Sequence, residues 1–395
     1  MGRYLARATE IFDDLVAIRR HLHMHPELSG QERQTAAYIA ARLRELGLRD
    51  VREGVGRTGV VAVIEGRRPA PAVLLRVDMD ALPIAEQNDV PYRSTVDGVM
   101  HACGHDAHCA MGLGAARLLV ERRADLAGAV KLAFQPAEEA LGGAQWMIRD
   151  GVLANPEVVA AVGIHVTPEI EVGRVRLLSG ATMASAHELH IWVRGKAAHG
   201  AYPDQGTDAV VAAAHVICAL QTVVSRRIGG LEPAVVTIGT IHGGSRLNVI
   251  ADEVKLEGTV RCFERGVAEK LHGAIVEAAR GAAAALGAEV EVELRQGAPP
   301  LVTDPQVVAL AAEACAQELG PQAVEREGPR RMASEDFAWF GEHVPLAHIR
   351  LGSTAPGEQP RQAHNPHFDI DERCLPIGAA VLAACAQRLL AAMVK

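Results

Sequence analysis

Short apolar runs alternate with longer amphipathic stretches through the first 180 residues. Leu5, Ile11, Leu15 and Ile18 predict a helix over 5–25, ended by Pro26. Thr35 to Leu46 predicts a second helix, closed by Gly47. The runs 60–65, 72–77, 129–134 and 158–164 are short and rich in Val, Ile or Ala, as buried strands are. Helical stretches, notably 107–122, separate several of them. Strand–helix alternation of this kind predicts an α/β layer architecture with a mostly parallel sheet.

The pattern changes after about residue 183. Residues 187–194 alternate like a strand, 206–227 are helical, 234–242 and 253–263 are strands, 267–286 are helical and 289–295 form a strand. The order β-α-β-β-α-β is the ferredoxin-like split arrangement. After Pro299 and Pro300 the α/β pattern resumes, with a helix at 305–318, a strand at 347–351 and an Ala-rich helix at 376–393. The expected organisation is one domain over 1–182 and 298–395, with a second over 183–297 inserted into it. Two domains also suit 395 residues, because single cores stop growing near ~250–300 residues.

Composition narrows the function classes. Aromatic residues make up only 3% of the chain, so Ala, Val, Leu and Ile must build the core. A net charge of −8 argues against a nucleic-acid surface. No apolar run is expected to reach the ~18 residues of a membrane span. The opening Met1-Gly2-Arg3-Tyr4-Leu5-Ala6 starts no secretory apolar segment, and Ala6 breaks the myristoylation pattern. Seven scattered cysteines do not read as a disulfide framework and point to a reducing cytoplasm.

The chemistry concentrates at His101-Ala102-Cys103-Gly104-His105-Asp106-Ala107-His108, where three imidazoles and a thiol fall within eight residues. Such donors suit zinc-like ions. Further polar residues follow predicted strands: Asp78 and Asp80 after 72–77, Glu138 and Glu139 after 129–134, His165 after 158–164, and His364 in the loop after 347–351. Open α/β sheets bind ligands outside the carboxyl ends of their strands. Together with Cys103 and His105 these residues are enough for two metal ions. Taken singly, Glu138-Glu139 reads as a solvated pair and Asp78-Met79-Asp80 as a helix cap; the shared position at strand ends favours function. Gly54–Gly59 matches G-x-G-x-x-G but opens a strand rather than a helix, so it is read as a turn. His21, His23 and His25 are spaced by two on a helix, which spreads them over different faces and favours a structural role.

Several motifs together resemble the M20 metallopeptidase and amidohydrolase family, in its hippurate hydrolase and N-acyl-amino-acid amidohydrolase branch. They are His23–Ser29, Asp78–Pro83, His101–Asp106, Gln135–Glu139, Gly195–His199, Asn248–Ile250, Ser334–Phe337 and His364–Pro366. The resemblance implies a mostly parallel-sheet catalytic domain with an inserted ferredoxin-like lid and dimerisation domain. It implies two divalent metal ions per subunit (zinc, manganese, cobalt or nickel) on Cys103, His105, Glu139, His165 and His364, with Glu138 as general base. Asp80 matches an aspartate that in related branches follows a His ligand and orients it; Asp78 replaces that His in this chain. His199 and Asn248 match lid residues that contact substrate, and the assembly implied is a homodimer or homotetramer through the lid domain. Arg246 and Leu247 stand where Ala and Phe are frequent, which bears on substrate preference. The substrate implied is a small N-acyl amino acid, anchored by Asn248, Arg246 or Arg261. Carboxypeptidase, dipeptidase and N-acetyl-diaminopimelate deacetylase activities are the alternatives. A non-enzymatic binding protein would show a broken constellation, and every matching position is filled.

Overall fold

The computed structural model of the chain describes residues 2–393 and divides it into two compact units. The first comprises the residues up to Gly180, Val302–Pro329 and Asp336 onward. The second comprises Ala181–Leu301 and Arg330–Glu335.

The first unit is built on an eight-stranded sheet. Its order is Val51–Val55, Gly59–Ile64, Ala129–Gln135, Ala72–Asp78, Val158–Glu171, Leu346–Thr354, Val175–Arg176 and Val324–Glu325. The four strands from Ala129–Gln135 to Leu346–Thr354 run parallel, and Val51–Val55 and Gly59–Ile64 add an antiparallel margin. Strands Gly59–Ile64, Ala72–Asp78 and Ala129–Gln135 are buried at every position, which is why they read as continuous apolar runs. Helices His105–Glu121 and Cys374–Met393 cover the sheet and Phe12–Met24 packs on them, with small residues at their closest approach. A Cβ on Gly114 would lie 2.7 Å from Leu15 and 2.8 Å from Ala379, and one on Gly378 would lie 2.2 Å from Met111 Sδ. Overpacking of that kind typically costs about 1–3 kcal/mol.

The second unit carries a four-stranded antiparallel sheet in the order Ala234–Gly243, Glu253–Cys262, His187–Arg194, Glu289–Gln296. Helices Ala209–Arg227 and Arg265–Ala284 bury Val216, Leu220, Leu271 and Ile275 against Leu189, Ile191, Leu256 and Val260. The chain order of these elements is the expected ferredoxin-like one.

Three expectations change. The predicted helix over 5–25 is two helices, Arg3–Glu10 and Phe12–Met24, parted at Ile11. Asp13 and Asp14 then occupy the first turn of the second helix, where acidic groups favour a helix start. His165 does not follow its strand but stands inside it, because Val158–Glu171 runs on in parallel pairing with Leu346–Thr354, with Arg350 opposite His165. Two helices, Ala209–Arg227 and Cys374–Met393, are after all apolar and long enough to cross a membrane. Ala-rich composition explains this: Cys374–Met393 is a buried core helix of the first unit, and Ala209–Arg227 packs one face on the sheet of the second.

Candidate metal centre

Strand Ala72–Asp78 delivers Asp78 as its last residue and Asp80 two residues on, both buried. Asp78 Oδ2 accepts from Arg76 Nη1 at 2.8 Å, and its Oδ1 lies 2.5 Å from His108 Nδ1 and 3.7 Å from His105 Nε2. Burial works against the charge of Asp78, yet His105, His108 and Arg76 outweigh it and hold the carboxyl well below its usual range. Asp80 is more fully occupied. It accepts from Ser29 Oγ at 2.6 Å, from Glu138 N at 3.0 Å and from Glu139 N at 3.1 Å, and lies 3.3 Å from His105 Nδ1.

Gly104 opens the helix His105–Glu121 at φ +85, and a Cβ there would meet Val166 Cγ2 at 2.5 Å. Only glycine suits both demands. The bend places Cys103 Sγ 3.4 Å from His165 Nε2. His165 Nδ1 donates to Val166 O at 2.6 Å, which leaves Nε2 as a lone pair facing the thiol. Burial lowers the His165 pKa well below its ordinary value, so the ring is a neutral donor. Burial pushes the Cys103 thiol up to about 12, so a thiolate here calls for a cation beside it. His364, held at φ +60, donates its backbone N–H to Ala102 O at 2.7 Å, and its Nε2 comes within 3.2 Å of Glu139 Oε1.

Besides Asp78–His105–His108, two ligand triads arise here, Cys103–His105–His165 and Cys103–Glu139–His364, each with its donor atoms within 4.8 Å of one another. Cys103 belongs to both. Glu138 lies beside them, its carboxyl grouped with His105 and Glu139 and its Oε1 accepting from Asp336 N at 3.3 Å. The set fits divalent metal ions on one further observation. His105 Nε2 is buried and has no hydrogen-bond partner among the described residues, although Nδ1 of the same ring faces Asp80. A buried ring nitrogen left without a partner is costly, which favours a ligand at that position. Thiol, imidazole and carboxylate are the donors that zinc-like ions take.

Of the remaining polar members of the 101–108 stretch, His108 and Asp106 have other partners, whereas neither ring nitrogen of His101 has a hydrogen-bond partner among the described residues. Val166 N donates to His108 Nε2 at 2.9 Å, so the ring proton sits on Nδ1 toward Asp78 and both nitrogens are engaged. Asp106 is buried against Arg19 Nε and His23 Nδ1, each at 2.8 Å. His101 is buried, which lowers its pKa to about 4. His23 thus belongs to an internal ion network, while His21 stacks on Tyr38 and His25 ends the helix.

His199 and Asn248 lie in the second unit. Strands Ala198–His199 and Val249–Ile250 pair there, Gly200 N donates to Asn248 O at 2.8 Å, and both side chains are exposed. Arg246 is exposed in the same loop, and Arg261 is partly buried on strand Glu253–Cys262. The sequence reading missed Arg76, Glu32 and Asp336 as neighbours of the site. A charge inside the apolar run 72–77 was the available signal for Arg76; its guanidinium bridges Asp78 and Asp336, the latter at 2.9 Å.

Residues 74–388 match the family described as peptidase family M20/M25/M40. The chain is 41% identical over 376 residues to N-acetyl-L-cysteine deacetylase of Bacillus subtilis, covering 95% of this chain and 88% of that protein. It is 38% identical over 389 residues to IAA-amino acid hydrolase ILR1-like 2 of Arabidopsis thaliana, covering 98% and 87%. The crystal structure of the Bacillus subtilis YXEP protein, described as a dinuclear metal binding peptidase from the M20 family, superposes with a TM-score of 0.85. That protein is 35% identical, with 97% of this chain and 99% of that one covered.

Proposed function

The chain belongs to peptidase family M20/M25/M40 and hydrolyses amide bonds, and on that premise we propose that it splits N-acyl amino acids into a carboxylic acid and a free amino acid at a two-metal centre. The observation that carries this reading is the pair of ligand triads sharing Cys103, with Glu138 alongside. Cys103, His105 and His165 would hold one ion, and Cys103, Glu139 and His364 the other. The soft thiolate and the imidazoles favour zinc, cobalt or nickel over manganese. When bound, such ions polarise an amide carbonyl and lower the pKa of water toward ~7.

The protein's own part follows from its carboxylates. Glu138 takes a proton from the attacking water and returns it to the departing amine nitrogen. Asp80 is a positioning residue: it steadies His105 through Nδ1 and the Glu138–Glu139 backbone through two N–H groups. His199 and Asn248 contact the substrate, with Asn248, Arg246 or Arg261 receiving its carboxylate. Residues 1–182 and 298–395 serve as catalytic domain and 183–297, which lie within the second unit, as lid and dimerisation domain. Eight of the ten exposed large hydrophobic side chains among the described residues fall in that second unit, which supports association into a homodimer or homotetramer. The seven free cysteines support a reducing, cytoplasmic setting.

Glu138→Gln should bind metal as the wild type does and lose about 10²–10⁴-fold in kcat. Near-normal turnover in that variant sinks the assignment. The acyl and amino-acid preference is read by assaying hippurate, N-acetyl-L-cysteine, other N-acetyl amino acids, N-acetyl-diaminopimelate and dipeptides, each with and without chelator. Dipeptides outrunning every N-acyl amino acid would make the protein a peptidase instead.

A further inference from the structure

Beyond Gln135 the chain enters a turn that local sequence does not favour. Pro136 has no N–H to give, and Ala137 sits at φ +50, a left-handed conformation rare for a residue with a Cβ. Strained backbone of this kind persists only where its surroundings over-determine it. Here three successive amides point at carboxylates. Ala137 N donates to Glu32 Oε1 at 2.8 Å, Glu138 N to Asp80 Oδ1 at 3.0 Å, and Glu139 N to Asp80 Oδ2 at 3.1 Å.

Glu32 is the unexpected member. It stands at the N-cap of helix Arg33–Glu45, where a carboxylate would ordinarily cap the first turn, yet it makes no such bond. Glu27 does that work instead, accepting from Gln34 N at 3.2 Å and Thr35 N at 2.9 Å. The Glu32 side chain is fully buried and turned toward Ala137. Its orientation is fixed from both sides: Gly30 N donates to Oε1 at 2.8 Å and Thr58 Oγ1 to Oε2 at 2.5 Å. Thr58 rides on the Gly54–Gly59 turn, and that turn abuts the same segment, since a Cβ on Gly59 would come within 2.9 Å of Pro136 Cδ. Ser29, from the same loop as Glu32, fixes Asp80 at 2.6 Å.

We propose that Glu32 is a positioning residue for Glu138, pinning the left-handed Ala137 so that the next side chain leaves the strand end toward the reacting groups. The proposal rests on Glu138 as the general base. Displacing a catalytic group by about 1 Å costs on the order of 10²-fold in rate. Glu32→Ala, in the metal-loaded protein, should therefore lower kcat about 10- to 100-fold with KM within about two-fold of wild type. Its metal content should stay at the wild-type value. Glu32→Gln keeps an oxygen for Ala137 N and Gly30 N and should return kcat to within about three-fold of wild type. In the Glu138→Gln background, Glu32→Ala should add almost nothing, because both act through one group.

The probe is hippurate or N-acetyl-L-cysteine, whichever the wild type turns over faster. Wild-type kcat in Glu32→Ala, loss of metal in that variant, no rescue by Gln, or a full second loss in the double variant each overturns the proposal. Should Glu32→Ala fail to fold, Glu32→Asp shortens the reach by one methylene and should still lower kcat about five-fold; unchanged kcat there overturns it equally. Glu138→Gln, run in parallel, separates the two ideas. If it stays active, the base assignment fails; if it is inactive while Glu32→Ala is normal, only the role of Glu32 fails.

Discussion

In the first unit, strands Ala72–Asp78 and Ala129–Gln135 are buried throughout and still carry Arg76, Asp78, Lys131 and Gln135. In the second unit, strand Ala234–Gly243 has no buried position, and His187–Arg194 alternates between core and solvent. Most motif residues divide in the same way, although His364 of the first unit is exposed. Asp80, Cys103, His105 and Glu138 are buried among partners, whereas His199 and Asn248 are exposed. A buried charge is tolerated only when its hydrogen bonds and counter-charges are in place. Arg76 accordingly meets Asp78, Asp336 and Gln135, and Lys131 Nζ donates to three backbone carbonyls at 2.7–2.9 Å. A change at the first unit's strand ends therefore disturbs several groups at once, while a change at the second unit's motif residues disturbs few.

The contrast can be broken most severely at Cys103. Cys103→Ala removes the donor common to both triads, so metal analysis should find both ions depleted and kcat/KM reduced by at least about 10³-fold. His364→Ala touches one triad and should leave about one ion per chain; retention of two ions by Cys103→Ala would dissolve the shared-ligand reading. Next in size is Arg76→Met, which removes the cation that buried Asp78 and Asp336 share. Denaturant unfolding should show a loss of about 3–5 kcal/mol. Its counterpart in the second unit, Arg194→Met, breaks pairs with Glu253 and Glu291 that are about half exposed, and should leave the unfolding midpoint close to wild type. Equal losses would erase the difference between the two regions.

Asp80→Asn should lower metal affinity or activity about 10- to 100-fold, as changes to the partners of metal ligands do; competition with a chromogenic chelator measures the first. The smallest structural effect belongs to His199→Ala and Asn248→Ala, which should leave stability within about 0.5 kcal/mol of wild type while lowering kcat/KM. Unchanged kcat/KM in both would remove them from the substrate contacts.

The strands of the first unit were legible because burial on two faces leaves an unmistakable apolar run. The ferredoxin-like order was legible because each of its elements keeps one clear period. The break at Ile11 was not, since Tyr4, Ala8, Ile11, Leu15 and Ile18 keep helical spacing across it. Nor was the place of His165 inside its strand, which depends on pairing with residues 346–354, far along the chain. Glu32 gave no signal at all, because an acidic residue just before a helix ordinarily reads as a cap.

Local sequence determined the donors available to this protein: a thiol and three imidazoles within 101–108, and carboxylates and imidazoles set beside apolar strands. It could not rank those donors, because a ligand's availability depends on what its other atom touches. Tertiary structure decided that. His108 has both nitrogens engaged, by Asp78 and by Val166 N–H, whereas His105 is held by Asp80 on one nitrogen and has a buried, unpartnered nitrogen on the other. His364 reaches Glu139 from more than 200 residues away, by a backbone bond to Ala102 that no spacing rule contains. Periodicity is a property of neighbours along the chain, and the direction of a lone pair is a property of neighbours in space.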